Sequence, residues 1–540
     1  MIERIVEDWL TSTNERGYQI PFCQCLMQEG FTILHISKHG QLEQGKDIIA
    51  TAPDGTVYAY QLKTGDINLA RWRTMQGEIQ DLVELPVIHP AVDKSQPVQH
   101  FLVTNGTIDD PVRWSIAQKN AHWEQLGLPK VGLILGPQLL RKFVDAAGSF
   151  FPQKPTPLKD FLELYLTDGR SLPDKDKLAS FLKQLLGIGT PLTESARELQ
   201  RRISGAAVIA QYLISPFEKE RNHVAIVECW IVYLATVLAL AEKQALEGET
   251  YSRTYEIIIQ RIVEQLEDLE AEFLSRQNYL EGAPMGDGAI VYKARLTMVL
   301  AWMCALHLFG MKKSNERAMP DERIIQLIKS NHKDWLWYWG QSATPYHLII
   351  SLFCESMNEE ELSWSIMLKV LADLSLQDES DKSPSDFASK VPDPYLQVEK
   401  CIGAAMKLPG FERENFLDLS YHLAPVVYFS VRRNKRTSLD ELWKRISKTI
   451  LCEYSPLHKW HYLLWQSDEG KDNTWSFDAP QSWKKLSELA NRKDSTLPAV
   501  IYDRPEFLYF FLLVYPHRLT SQSVRLIDEC APRQECNKKV

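Results

Sequence analysis

Gly45-Lys46-Asp47-Ile48-Ile49-Ala50-Thr51-Ala52-Pro53-Asp54-Gly55-Thr56-Val57-Tyr58-Ala59-Tyr60-Gln61-Leu62-Lys63 reads as a β-hairpin. Ala52-Pro53-Asp54-Gly55 suits a three-residue loop, with proline and aspartate in a type I turn and glycine in the left-handed bulge position that follows. That turn fixes the register. With Ala52 opposite Thr56, counting back along both strands puts Asp47 opposite Gln61. Lys63 then lies two residues further along the same face, because side chains alternate with period two. An acid, an amide and a lysine are thereby expected together.

Asp47 is a hard anionic oxygen ligand and the Gln61 carbonyl oxygen a neutral one, a pair suited to Mg2+ (or Mn2+) that keeps several waters and a substrate phosphate. Such an ion acidifies an attacking water and neutralises charge growing on the phosphorus oxygens. Lys63 is placed to orient that water, help deprotonate it, or act as a fixed cation. The bland alternative is a surface hairpin in which Asp47 and Lys63 form a solvated pair. Gly40-Gln41-Leu42-Glu43-Gln44-Gly45-Lys46 also fits the opening of a phosphate-binding loop. Position 47 is aspartate where such a loop needs serine or threonine, and a strand followed by a turn is expected where a helix should start.

Gly30-Phe31-Thr32-Ile33-Leu34-His35, the Glu43–Ala50 run and Tyr60-Gln61-Leu62-Lys63 together resemble the restriction-endonuclease-like (PD-(D/E)xK) nucleases. The likeness is to the Mrr-type branch, in which Gly-x-Asp and Gln-x-Lys stand for the usual Asp and Glu-x-Lys. His100–Gly106 looks like that branch's fourth strand, and Val131–Gly136 with Gln138-Leu139-Leu140 like its last strand and closing helix. The resemblance covers residues 1 to about 145. It implies an α/β restriction-endonuclease-like domain, a mixed central sheet flanked by helices, acting as a metal-dependent endonuclease on double-stranded DNA. It also implies a further carboxylate from a helix before the first strand. Glu3, Glu7 and Glu15 are candidates, with Gln19 where a glutamate would be expected, and the reading leans to Glu15. Otherwise the site has two ligands only, or Glu43 completes it. Glu3 and Glu7 flank the first helix, whose buried stripe is Ile2, Ile5, Val6 and Trp9.

A net charge of −9 over 540 residues argues against a chain coated in basic surface. A local patch suffices for a nuclease, and Lys38, Lys46, Lys63, Arg71 and Arg73 are candidates for one, with Trp72 between the arginines able to stack on a base. A solvated helix start accounts for the same residues. Nine cysteines without regular spacing read as thiols of a reducing compartment, and neither Cys23/Cys25 nor Cys530/Cys536 has a histidine partner at a zinc spacing. The amphipathic N-terminal segment lacks the apolar core of a secretory signal. A cytoplasmic protein is expected.

Phe151-Pro152-Gln153-Lys154-Pro155-Thr156-Pro157 reads as a linker, dividing a domain at 1–150 from a large all-α region at 158–540. A break near 377–392 would split the latter, and Asp378–Asp386 is an acidic, serine-rich loop candidate. Capping residues precede the run after Thr193, and Thr254–Phe273, Tyr346–Met357, Glu360–Leu376 and Ser438–Leu451 have helical spacing. Val224–Ala241 and Ala289–Phe309 are apolar enough to raise a membrane span, but carry charges, and burial in a helical core accounts for them better. Trp335–Trp339 and His458–Tyr462 read as core aromatics, although His458 and His461 stand at i and i+3.

The expectation is therefore a metal-dependent DNA endonuclease joined to a helical region that senses, oligomerises or docks a regulatory partner. The resemblance further implies a role in bacterial defence against phage. Two alternatives remain: a nuclease fold that has lost catalysis and only binds DNA or a partner, and a helical scaffold or assembly protein with an N-terminal adaptor.

Overall fold

The computed structural model describes residues 2–37, 45–93, 96–148, 151, 154–189, 194–275, 287–313, 322–333, 336–375, 419–466, 474–478, 482–493 and 496–532. Contacts divide the chain into two compact units, Met1–Ala241 with Ala245–Ile262, and Glu242–Gln244 with Val263–Val540. The unit that holds the hairpin thus extends past the proline-rich segment at 151–157.

The first unit opens with α1 (Ile2–Ser12), which buries Ile5, Val6, Trp9 and Leu10 and leaves Glu3 and Glu7 exposed. Asn14 caps α2 (Glu15–Gln28), its Oδ1 accepting from the Gly17 N–H at 2.9 Å. Next comes an antiparallel meander of β1 (Thr32–Ile36), β2 (Ile48–Thr51) and β3 (Val57–Lys63). The crossover helix α3 (Leu69–Glu84) then leads to β4 (Val98–Thr104), parallel to β3. After α4 (Asp110–Gln125) comes β5 (Val131–Ile134), parallel to β4, and then α5 (Gly136–Gly148). The result is a mixed five-stranded sheet in the order β1-β2-β3-β4-β5. Helical connections are what parallel neighbours require, since no tight turn can join them.

The two faces of this sheet differ, because alternate residues point opposite ways. On one face Tyr58, Tyr60 and Phe101 stack on one another, with Phe22 of α2 and Phe31 set edge-on to the tyrosines, ring centroids 5.0–6.2 Å apart. On the other, Ala59, Leu102 and Val131 share a core with Trp72, Met75, Ile79 and Leu82 of α3 and Val112, Ile116 and Trp123 of α4. So α2 covers the tyrosine face and α3 covers the Ala59 face. This assignment decides which helices can reach the hairpin's polar residues.

The first unit continues with α6 (Pro155–Tyr165), α7 (Lys175–Leu185) and α8 (Ala196–Lys219), which packs on α2 and α5. Ser195 and Glu198 form a capping box at the start of α8. Then come α9 (His223–Gln244) and α10 (Ser252–Ser275), the latter belonging to the first unit up to Ile262 and to the second from Val263 on. A buried ion pair, Lys175 Nζ to Glu228 Oε2 at 3.3 Å, ties α7 to α9 and accounts for the single acid in the apolar stretch Val224–Ala241 of that helix. Its most apolar window is 94% buried, and that of Val291–Met311 is 78% buried, in keeping with core helices.

The second unit contains α11 (Asp287–Lys313), α12 (Glu322–Asn331), α13 (Thr344–Ser356) and α14 (Glu360–Leu374). It is largely helical but not all-α, which corrects the sequence reading. A three-stranded sheet joins β6 (Leu419–Ser420), β7 (Ile450–Tyr454) and β8 (Thr474–Asp478), with β7 central. The helix expected over Ser438–Leu451 runs from Arg436 to Ile446, and Ile450 and Leu451 belong to β7. Strand pairing with distant β6 and β8 overrides the local helical pattern, as is usual for short apolar runs. Asp378–Asp386 and the break near 377–392 lie outside the described residues.

Candidate functional site

The hairpin turn is built as its sequence requires. The Gly55 N–H donates to the Ala52 carbonyl and the Ala52 N–H to Thr56, both at 2.9 Å, and Gly55 has φ +86°. Asp54 Oδ1 accepts from the Thr56 N–H at 2.9 Å. Thr51 pairs with Val57 and Ile48 with Tyr60. The regular ladder ends at this last pair, one residue short of Asp47 and Gln61. There the ladder becomes irregular. The Asp47 N–H donates to the Tyr60 carbonyl at 2.8 Å, one residue out of step, and the Leu62 N–H is taken by Asp47 Oδ2 at 2.6 Å. The Asp47 carbonyl accepts from the Ser37 N–H at 2.7 Å. A carboxylate standing in for a strand carbonyl is thereby held between β1 and β3.

Gln61 and Lys63 are in phase with Ala59 and share its face, the one that α3 covers. Gln61 is 5% exposed, and among the described residues its Oε1 is buried without a hydrogen-bond donor. Lys63 Nζ lies 2.6 Å from Glu78 Oε2 of α3. Gly45 explains how the chain enters: it has φ +70°, and a Cβ there would stand 2.4 Å from the Glu78 carbonyl oxygen. Only glycine lets the chain pass this close to α3 just before Lys46 and Asp47. Lys46 is buried under the same helix, its Nζ on the Asp81 carbonyl at 3.3 Å, and burial brings it down to about 8. His100, which pairs with Ala59 across β3 and β4, is brought to about 4 by burial and then by the charge of Lys46. A buried acceptor without a donor costs about 1–3 kcal/mol, so Gln61 Oε1 marks a place where a donor or a cation fits.

From the tyrosine face, Tyr18 of α2 reaches the end of β3, its hydroxyl donating to the Lys63 carbonyl at 2.7 Å. Burial raises the Tyr18 phenol well above its ordinary value, and the Glu15 and Asp47 carboxylates raise it further. Gln19 is buried, with Nε2 3.5 Å from the Asp47 carbonyl, and Glu15 lies one turn earlier on the same helix. Glu15 and Asp47 thus both lie within electrostatic reach of the Tyr18 hydroxyl. Glu3 and Glu7 are exposed on α1, and Glu43 and Lys38 lie outside the described residues. Asn105 braces the sheet beyond β4, Nδ2 donating to the Leu10 and Thr13 carbonyls at 2.6 and 3.0 Å and Oδ1 accepting from the Gly65 N–H at 2.5 Å.

The expected basic surface is smaller than the sequence suggests. Lys46 is 3% exposed, and Trp72 is 1% exposed in the core with Nε1 on Ser115 Oγ at 2.9 Å, so neither faces solvent. Successive side chains on helix α3 point about 100° apart, which lets Trp72 face the core while Arg73 faces outward. Arg73 is exposed, while Arg71 is partly buried and donates to the Thr64 and Asp66 carbonyls. Comparison with protein-family models, with curated proteins and with solved structures finds no match. The geometry stands alone.

Sequence reasoning missed Glu78 and Tyr18. No spacing relates Glu78 to the hairpin, because its place depends on how α3 crosses the sheet. Among the described residues no group of three or more His, Cys, Asp or Glu side chains is arranged to hold a metal ion. The hairpin offers instead one aspartate and one amide oxygen, the hard-oxygen set that suits Mg2+ or Mn2+. Elsewhere, His458, Trp460 and His461 form a ring cluster, with the two histidine centroids 5.3 Å apart. Leu336, Tyr338 and Trp339 are core, and Trp335 lies outside the described residues.

Proposed function

We propose that the first unit is a metal-dependent phosphodiester hydrolase of the restriction-endonuclease-like kind, acting on double-stranded DNA. The observation that carries this reading is the buried, donorless Oε1 of Gln61, which precedes the Leu62 N–H held by Asp47 Oδ2 and stands two residues before Lys63. The antiparallel meander followed by two parallel strands supports it, because it sets these residues at one end of β3. Asp47 and Gln61 would hold a divalent cation, which when bound supplies acidification of water and neutralisation of phosphate charge. Asp47 is kept in place by the Leu62 N–H, so its carboxylate does not reorganise when substrate arrives. The Lys63 ammonium, on a side chain that is 15% exposed, would orient a water or offset charge on a phosphate oxygen. Tyr18, kept protonated, donates to the Lys63 carbonyl and fixes the end of the strand that carries both groups.

The test is cleavage of plasmid and linear duplex DNA by the full chain in Mg2+, Mn2+ or chelator, beside Asp47→Ala and Lys63→Ala. Metal-dependent cleavage lost in both variants is the expected result. Cleavage that persists in both variants, or needs no metal, overturns the reading. One observation favours a second reading, a nuclease fold that only binds DNA: Lys63 is already paired with Glu78. Duplex binding that Lys63→Ala leaves intact, without cleavage by the wild type, would support that alternative. In either case the helical second unit is proposed to control access or to dock a partner.

A further inference from the structure

Within the reading of a metal-dependent hydrolase, on which this inference rests, we infer that Glu78 of α3 is the carboxylate that joins Asp47 and Gln61 at the cation. Glu15 of α2 is then not that ligand. Four observations converge on Glu78. Its Oε2 is 2.6 Å from Lys63 Nζ, so the carboxylate already lies at the hairpin's functional end. Its backbone touches the chain that leads into Asp47, as the close approach of Gly45 to the Glu78 carbonyl shows. Helix α3 covers the face on which Gln61 and Lys63 stand, whereas α2 covers the tyrosine face. Finally, the Glu78 side chain is 51% exposed and pivots on a long, rotatable stem, while the donorless Gln61 Oε1 is fixed in the interior.

The pair gives Glu78 two alternatives. Without a cation, its charge is answered by Lys63. A cation held by Asp47 and Gln61 would offer the carboxylate a stronger charge, and the Lys63 ammonium would then be free to face a substrate phosphate. No bond is made or broken in this exchange. One anionic oxygen changes partner, and the ammonium keeps its proton. The resting pair therefore competes with metal binding and keeps Lys63 neutralised until the ion arrives, which is useful in a nuclease that shares its compartment with the genome.

The experiment is Mn2+ titration by calorimetry on the metal-free full chain, comparing wild type, Glu78→Gln, Glu15→Gln, Asp47→Asn and Lys63→Met, each checked for an unchanged melting profile in chelator. The expected result is at least tenfold weaker Mn2+ binding in Glu78→Gln and in Asp47→Asn, with Glu15→Gln within twofold of wild type. Lys63→Met, which removes the competitor, is expected to bind Mn2+ several-fold more tightly. If Glu78→Gln binds like wild type while Asp47→Asn fails, or if Glu15→Gln carries the loss, the assignment of Glu78 is wrong and the hydrolase reading survives. If wild type does not bind Mn2+ at all, the hydrolase reading falls and this assignment with it. Because Glu78 is half exposed, its substitution leaves the core intact, and Glu78→Asp gives a second variant expected to recover part of the binding.

Discussion

Replacing Gln61 by leucine separates a metal ligand from a structural amide. Leucine has similar volume and lacks the buried Oε1 that has no donor among the described residues. Leaving such an acceptor buried costs about 1–3 kcal/mol, and an apolar group of similar shape removes that cost. Gln61→Leu is therefore expected to stabilise the metal-free first unit by about 1–2 kcal/mol, the lower figure allowing for imperfect packing of the branched side chain. At about 2–4 °C per kcal/mol for a unit of this size, the melting midpoint rises by roughly 2–8 °C. Wild type should regain that deficit when the ion binds. At a free cation concentration ten times the dissociation constant the gain is about 1.4 kcal/mol. Scanning calorimetry in chelator and in Mg2+ or Mn2+ measures both effects on the full chain. The expected pattern is a crossing: the variant melts higher in chelator, and only wild type moves upward with metal. A variant that melts lower than wild type in chelator, together with a wild type indifferent to metal, would refute the reasoning and return Gln61 to an ordinary structural role.

Three further outcomes are expected. Gly45→Ala combines a left-handed backbone with a Cβ 2.4 Å from the Glu78 carbonyl, so it should destabilise the first unit by at least about 1 kcal/mol and abolish metal-induced stabilisation, both visible in the same calorimetric scans. His100, His347 and His422 are each brought from 6.5 to about 4, burial being the main cause, so between those values the unfolded chain binds more protons than the folded one. Their contribution is complete above pH 6.5 and is lost as pH falls toward 4; urea unfolding at pH 7, 6 and 5 should show falling stability, and His100→Phe a shallower fall for the first unit. Arg73→Ala, at an exposed position, should weaken duplex binding and lower the salt dependence by about one counterion, whereas buried Lys46→Met should leave that salt dependence unchanged in electrophoretic titrations.

The hairpin was legible because all its determinants are local. Pro53, Asp54 and Gly55 specify one turn, and the turn specifies the register from Thr51–Val57 to Ile48–Tyr60 without reference to the rest of the chain. The cap at Ser195 and the burial of the apolar α9 were readable for the same reason, since capping and periodicity act within one element. What the sequence could not assign was anything that depends on one element crossing another. Trp72 and Arg73 are neighbours in sequence, but only the seating of α3 on the Ala59 face decides that one is core and the other surface. Lys46 reads as a surface cation and is buried because Gly45 draws that segment against α3. The strand β7 emerged from a helical pattern because its partners β6 and β8 come from distant parts of the chain. Glu78 meets Lys63 for the same reason. Chain chemistry alone determined the turn, the register and the donor types; which helix lies over Gln61 and Lys63 was decided by packing, because a side chain's neighbours across a sheet are set by the face it occupies and not by its distance along the sequence.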